Sequence, residues 1–223
     1  MLAQLARRRN KPRQRAGFDA EQASRASWCQ AMRTARLEAF SDGVLAILIT
    51  IMVLELKVPH GADLEGLRHI LPVLCAYVLS FIFIGIYWNN HHHLLHTCER
   101  VNGGILWANL HLLFWLSLIP FGTAWMGEYH SAPVPTALYG VVLFAAGVAY
   151  LILQQAIVRE QGPHSKLREW VGNDKKGKLS ALLYLCAVGL AFLKPGISQV
   201  IYGCVALLWL IPDRRIEAHL AEE

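Results

Sequence analysis

Six apolar runs divide the chain, each bounded by proline, glycine or charge. A helix needs roughly 20 largely apolar residues to cross a bilayer. The first run spans Leu37 to Leu56 and is closed by Lys57-Val58-Pro59. The second spans Ile70 to about His93, with Pro72 in its first turn, where a missing amide costs little. The third is Ile105 to Met126, with Pro120 inside, and the fourth is Ala137 to Val158. The fifth, Leu179 to Leu193, and the sixth, Ile197 to Ile211, flank the turn Lys194-Pro195-Gly196. These last two hold 15 residues each, only ~22 Å at helical rise. They either borrow flanking residues such as Gly177 and Ser180 to reach across, or form a buried hairpin that does not cross. Six full crossings are the expectation, in an all-α polytopic membrane protein.

Composition agrees with the pattern. Hydrophobic residues make up 55% of the chain and charged residues 17%, against about a quarter charged in soluble domains. The five cysteines, Cys29, Cys75, Cys98, Cys186 and Cys204, form no C-x-x-C pair. They read as buried thiols and not as a disulfide framework or a zinc motif.

Charge placement then orients the spans, because cytoplasmic loops are enriched in Lys and Arg. Residues 1–36 carry nine Lys or Arg, the segment near Arg100 one, Arg159 to Lys178 six, and the C-terminal segment two. The opposite side has only Lys57, Arg68 and Lys194. With an even number of spans, both termini are expected in the cytoplasm of a cell-membrane protein. The expected organisation is a basic, disordered tail over 1–34, a membrane domain over 35–215 and a short cytoplasmic tail over 216–223. The basic tail suits contact with anionic lipid, and nothing else in the chain supports a nucleic-acid partner.

The first span opens on Arg36-x-x-x-Phe40-Ser41-Asp42-Gly43. A carboxylate at the lip of a span loses water, so its retention points to use. At ~100° per residue, Phe40, Gly43, Ile47, Thr50 and Leu54 form one stripe, and Asp42 lies ~140° from Ile47. The wheel alone fits two arrangements. One is an ordinary helix–helix seam; in the other the stripe faces a symmetry axis while Asp42 packs sideways within its subunit.

The motif Arg36-x-x-x-Phe40-Ser41-Asp42, followed by Ile47-x-x-Thr50-x-x-x-Leu54, resembles the transmembrane protein 175 family. Trp88-x-x-His91, and Asn109 followed by Leu118-Ile119-Pro120-Phe121, extend the resemblance over residues 36–125. The last three spans match only in number and hydrophobicity. The resemblance implies a homotetrameric, potassium-selective cation channel, with the first helix of each subunit lining a central pore. Ile47 would be the tightest ring, Thr50 a hydroxyl ring and Leu54 a further apolar ring. Arg36, Ser41, Asp42, His91 and Asn109 would form one hydrogen-bond network, with Trp88 packed beside His91 and with Phe40 belonging to the signature. In that network Asn109 and His91 donate to the Asp42 carboxylate and Arg36 balances its charge. No T-V-G-Y-G carbonyl filter is present, so selectivity would come from side-chain rings and partial dehydration. Permeant K⁺ is the expected ligand, and no cofactor is expected.

Glu55, beside Leu54, either concentrates cations at the outer mouth or is an ordinary solvated boundary residue. His91-His92-His93 and His96 end the second span. His92 and His96 share a face, but no carboxylate or cysteine set completes a metal site. Histidines at this interface would make gating respond to pH. There is no nucleophile elbow, H-E-x-x-H, phosphate loop or paired carboxylate in a span, so an enzyme is not expected. Two rivals remain. An alternating-access transporter would more often show a repeat or broken helices, and a haem protein needs axial histidines deep in facing spans.

Overall fold

The computed structural model describes residues 34–59, 61–98, 100–162 and 175–210. The basic tail to residue 33, the C-terminal tail and most of the Arg159–Lys178 segment lie outside the described residues. All regular structure among the described residues is helical. The helices are α1 (Thr34–Leu54), α2 (Leu64–His96), α3 (Gly103–Ser117), α4 (Ile119–Glu128), α5 (Pro133–Gln161), α6 (Lys175–Ala191) and α7 (Pro195–Leu210).

Four units are long and apolar enough to cross a bilayer: α1, α2, the α3–α4 pair and α5. The 17-residue α6 and 16-residue α7 are shorter, about 25 Å each at helical rise. They pack on each other as a hairpin across the Lys194 turn.

Two boundaries differ from the hydropathy pattern for local reasons. Helix α2 starts at Leu64 and not Ile70, because Asp63 caps it by accepting from the Gly66 amide at 2.9 Å. Glu65 adds negative charge to that first turn, where the helix dipole favours it. The third span is two helices. Pro120 has no amide to donate, and the ladder breaks at Leu118, whose amide donates to Trp115 O.

Helix α5 is the hub, in contact with α3, α4, α6 and α7, while α2 packs on α4 and α7. Small residues allow the closest approaches, as expected where backbones meet in a membrane. A Cβ at Gly127 of α4 would sit 2.9 Å from Val73 Cα of α2, and one at Gly140 of α5 would strike the Tyr202 ring of α7. Polar side chains inside the bundle find partners. Ser80 of α2 bonds Thr123 of α4 at 2.6 Å and Tyr139 of α5 at 2.8 Å, and Tyr202 donates to Thr136 O at 3.0 Å. An unpaired group would lose several kcal/mol in hydrocarbon, so this cluster fixes how α2, α4 and α5 meet.

The start of α1, the end of α2, the start of α3 and the end of α5 gather at one end of the bundle. Glu38 meets His92 there, Asn102 donates to Glu160 at 2.5 Å, and Gln161 donates to Thr97 O.

Candidate functional site

Helix α1 divides into three faces. Leu37, Ser41, Leu45, Leu48 and Met52 repeat at helical spacing and are buried. They form the face turned into the subunit. At its head lies a chain of three hydrogen bonds. His91 Nε2 meets Asn109 Oδ1 at 2.7 Å, Asn109 Nδ2 donates to Ser41 Oγ at 3.0 Å, and Ser41 Oγ donates to Leu37 O at 2.9 Å. Ser41 and Asn109 are fully buried and His91 is 1% exposed. The donors run in one direction. Ser41 spends its proton on Leu37 and so must accept from the Asn109 amide. That leaves the Asn109 carbonyl facing His91, so His91 donates from Nε2. Its other nitrogen, Nδ1, is buried and has no hydrogen-bond partner among the described residues.

Glu38 and Asp42, four residues apart, form a second face toward α2. Trp88 and His92 of α2 have the same spacing and answer them. Trp88 Nε1 donates to Asp42 Oδ1 at 3.1 Å, and His92 Nδ1 lies 2.7 Å from Glu38 Oε1. The Trp88 and His92 rings stack, centroids 6.1 Å apart and 24° between planes. Two polar rungs therefore bind α1 to α2, and the Ser41 chain binds it to α3.

The third face is exposed: Phe40 at 54%, Ile47 at 59% and Leu54 at 77%, with Gly43 and Thr50 between them. A Cβ at Gly43 would meet nothing within 4 Å among the described residues. Thr50 Oγ1 donates to Ala46 O at 2.9 Å, which leaves the hydroxyl oxygen with lone pairs for a cation or water. Glu55 is exposed just past the helix end.

The five-residue network expected from the motif divides accordingly. Ser41, Asn109 and His91 come together. Asp42 does not join them, since adjacent residues on a helix point ~100° apart. Ser41 turns toward Asn109 of α3, while Asp42 turns toward α2 and accepts a hydrogen bond from Trp88. Asn109 donates to Ser41 and not to Asp42. Arg36 is exposed and makes no ion pair with Asp42 among the described residues. It sits ~120° around α1 from Asp42 and only ~20° from Ile47, in line with the exposed stripe. Trp88 packs on His92 because i, i+4 residues share a face; His91 turns away to α3. Sequence reading weighed His92 only for metal and pH roles and missed its pairing with Glu38. The matching i, i+4 pairs Glu38/Asp42 and Trp88/His92 were the available signal.

A sequence model of the "Endosomal/lysosomal potassium channel TMEM175" family matches residues 36–120, which hold nearly all of α1, all of α2 and α3, and the polar groups that join them. A potassium channel from Chryseobacterium sp. (strain P1-3) is 54% identical over 191 residues, covering 86% of this chain and all of that protein. The chain belongs to the TMEM175 family. A solved crystal structure, a lysosomal potassium-selective channel TMEM175 homolog from Chamaesiphon minutus, superposes with a TM-score of 0.72. It is 28% identical and matched over 81% of this chain and 97% of its own. The zebrafish (Danio rerio) relative carries the name endosomal/lysosomal proton channel TMEM175, at 25% identity over 128 residues, 55% of this chain and 24% of that protein. The chain is thus a membrane protein of an ion-channel family.

Proposed function

We propose that this TMEM175-family chain is one subunit of a homotetrameric potassium channel in the cell membrane, with both termini cytoplasmic. Four copies of α1 surround the conduction path, and Phe40, Gly43, Ile47, Thr50 and Leu54 line it. One observation carries this reading. Helix α1 is clamped on two faces by α2 and α3 yet leaves an apolar third face with a single hydroxyl uncovered. A glycine and a threonine in line there give the narrow approach and the hydroxyl oxygens that a water-bearing axis uses.

Ile47 forms the waist, where potassium sheds part of its water more cheaply than sodium does. Thr50, one turn away, offers hydroxyl oxygens in exchange. This gives potassium over sodium by a moderate margin without a ring of backbone carbonyls. The isoleucine ring also closes by excluding water. Arg36 lies in line with the stripe at one mouth and Glu55 at the other, where Glu55 gathers cations.

The test is flux from liposomes holding a potassium gradient. Wild-type protein passes potassium passively at a rate that scales with the gradient, and Ile47→Asn widens passage and lets sodium through. Slow, saturating exchange in both proteins would instead mark a carrier. The name carried by the vertebrate relative favours a second permeant species, the proton. A pH-sensitive dye inside the same liposomes reads it separately.

A further inference from the structure

An open cleft of about 450 Å³ lies where α3 crosses α5, at the end of the bundle that holds the start of α1. Trp107 and His111 of α3 form one wall. Ile152, Gln155 and Arg159 of α5 form the other, and Ala156 keeps the floor low. The spacing explains the grouping: 107 and 111 share a face of α3, as do 152, 155, 156 and 159 of α5.

The polar side of the cleft is a set of donors. Arg159 is permanently charged and carries five N–H groups, and Gln155 supplies an amide. Trp115 Nε1 donates to His111 Nε2 at 3.0 Å. Indole N–H is only a donor, so a neutral His111 carries its own proton on Nδ1 and offers it there. The neighbouring acid on α5, Glu160, is engaged by Asn102 at 2.5 Å. The remaining walls are apolar, from the Trp107 indole and Ile152. His111 lies ~12 Å along α3 from its first residue, so the cleft runs from headgroup level into hydrocarbon.

We propose that this cleft binds an anionic phospholipid of the cytoplasmic leaflet. Arg159, Gln155 and His111 hold the phosphate, and the upper acyl chain lies against Trp107 and Ile152. Basic recesses between spans on the cytoplasmic side suit such headgroups. A free phosphate would use the donors and leave the apolar half idle, so the lipid is the occupant that satisfies both halves. Neither α1 nor the conduction path takes part, so the proposal stands apart from the pore assignment and rests only on the cytoplasmic orientation proposed above.

The test is native mass spectrometry of the full-length protein released from bilayers of phosphatidylcholine with added phosphatidylglycerol. The wild type should retain phosphatidylglycerol in preference to phosphatidylcholine. Arg159→Gln should lower that retention about tenfold, the value of one charge-assisted contact. Arg159→Lys should fall between, since it keeps the charge and loses the fork. Ala156→Phe should reduce retention while leaving every donor in place, which separates a filled cleft from a lost charge. Each variant is compared at the wild-type elution position. Three results overturn the proposal: retention unchanged in both Arg159→Gln and Ala156→Phe, displacement of the lipid by soluble glycerol phosphate at equal concentration, or disulfide capture of a second copy through Gln155→Cys.

Discussion

Replacing Asn109 with leucine isolates the contact that ties α1 to α3. Leucine keeps the branched heavy-atom shape, so no cavity is left, and its bulkier methyl groups add overpacking strain at a fully buried site. The substitution removes the donor to Ser41 Oγ and the acceptor for His91 Nε2. Ser41 keeps its bond to Leu37 O, so its loss is one ordinary hydrogen bond, about 0.5–1.5 kcal/mol. His91 suffers more. Its Nδ1 already lacks a partner, and a ring at 1% exposure would then have both nitrogens unsatisfied. Stranding that donor costs about 1–3 kcal/mol. The sum is roughly 1.5–4.5 kcal/mol, which for a chain of this size lowers the melting temperature by roughly 3–18 °C. Fluorescence-detected size exclusion after heating measures it in detergent. The double variant Asn109→Leu/His91→Phe should recover part of the loss, because removing both partners of a buried bond is far milder than removing one. A shift under about 2 °C for the single variant, or strict additivity in the double, would refute this account of the anchor.

Trp88→Phe removes one donor to a carboxylate and keeps the ring on His92, so a drop of about 1 kcal/mol is expected. Asp42→Asn should add little on top of it, as a double-mutant melting series would show. Gly127→Leu drives a side chain into the α2 backbone at Val73, where nothing can give, and should cost several kcal/mol and most of the folded yield. Gly43→Ala meets open space and should leave the melting temperature near wild type while narrowing the path, so potassium flux falls. Thr50→Val keeps the shape and loses the hydroxyl, with potassium flux expected to drop about tenfold, whereas Thr50→Ser should stay within about twofold.

The helices were legible because membrane spans are written in long apolar runs and the runs here are clearly punctuated. What the runs concealed came from groups that hydropathy averaging ignores. Asp63 lengthens α2 by capping it, and Pro120 splits the third span at Leu118. For the site, the signature residues were findable but their pairing was not. A motif fixes which side chains are present, whereas helix rotation decides which can meet. Ser41 and Asp42 are neighbours in sequence and part company by one helical step. Arg36 and Asp42 have opposite charges yet lie on different faces. Glu38, which no motif singled out, and His92, weighed only for metal and pH roles, make one of the shortest polar contacts of α1.

The central claim is that the exposed stripe of α1 faces water and ions. The most direct measurement is cysteine accessibility in a background lacking the five native cysteines. Cysteines are placed singly at Gly43, Ile47 and Thr50 on the stripe, and at Val53, which is also exposed but ~120° around the helix from Ile47. A charged, membrane-impermeant thiol reagent is then applied during potassium flux from liposomes. The account predicts block at the three stripe positions and undiminished flux at position 53. Equal insensitivity at all four would contradict it, since the stripe would then face lipid.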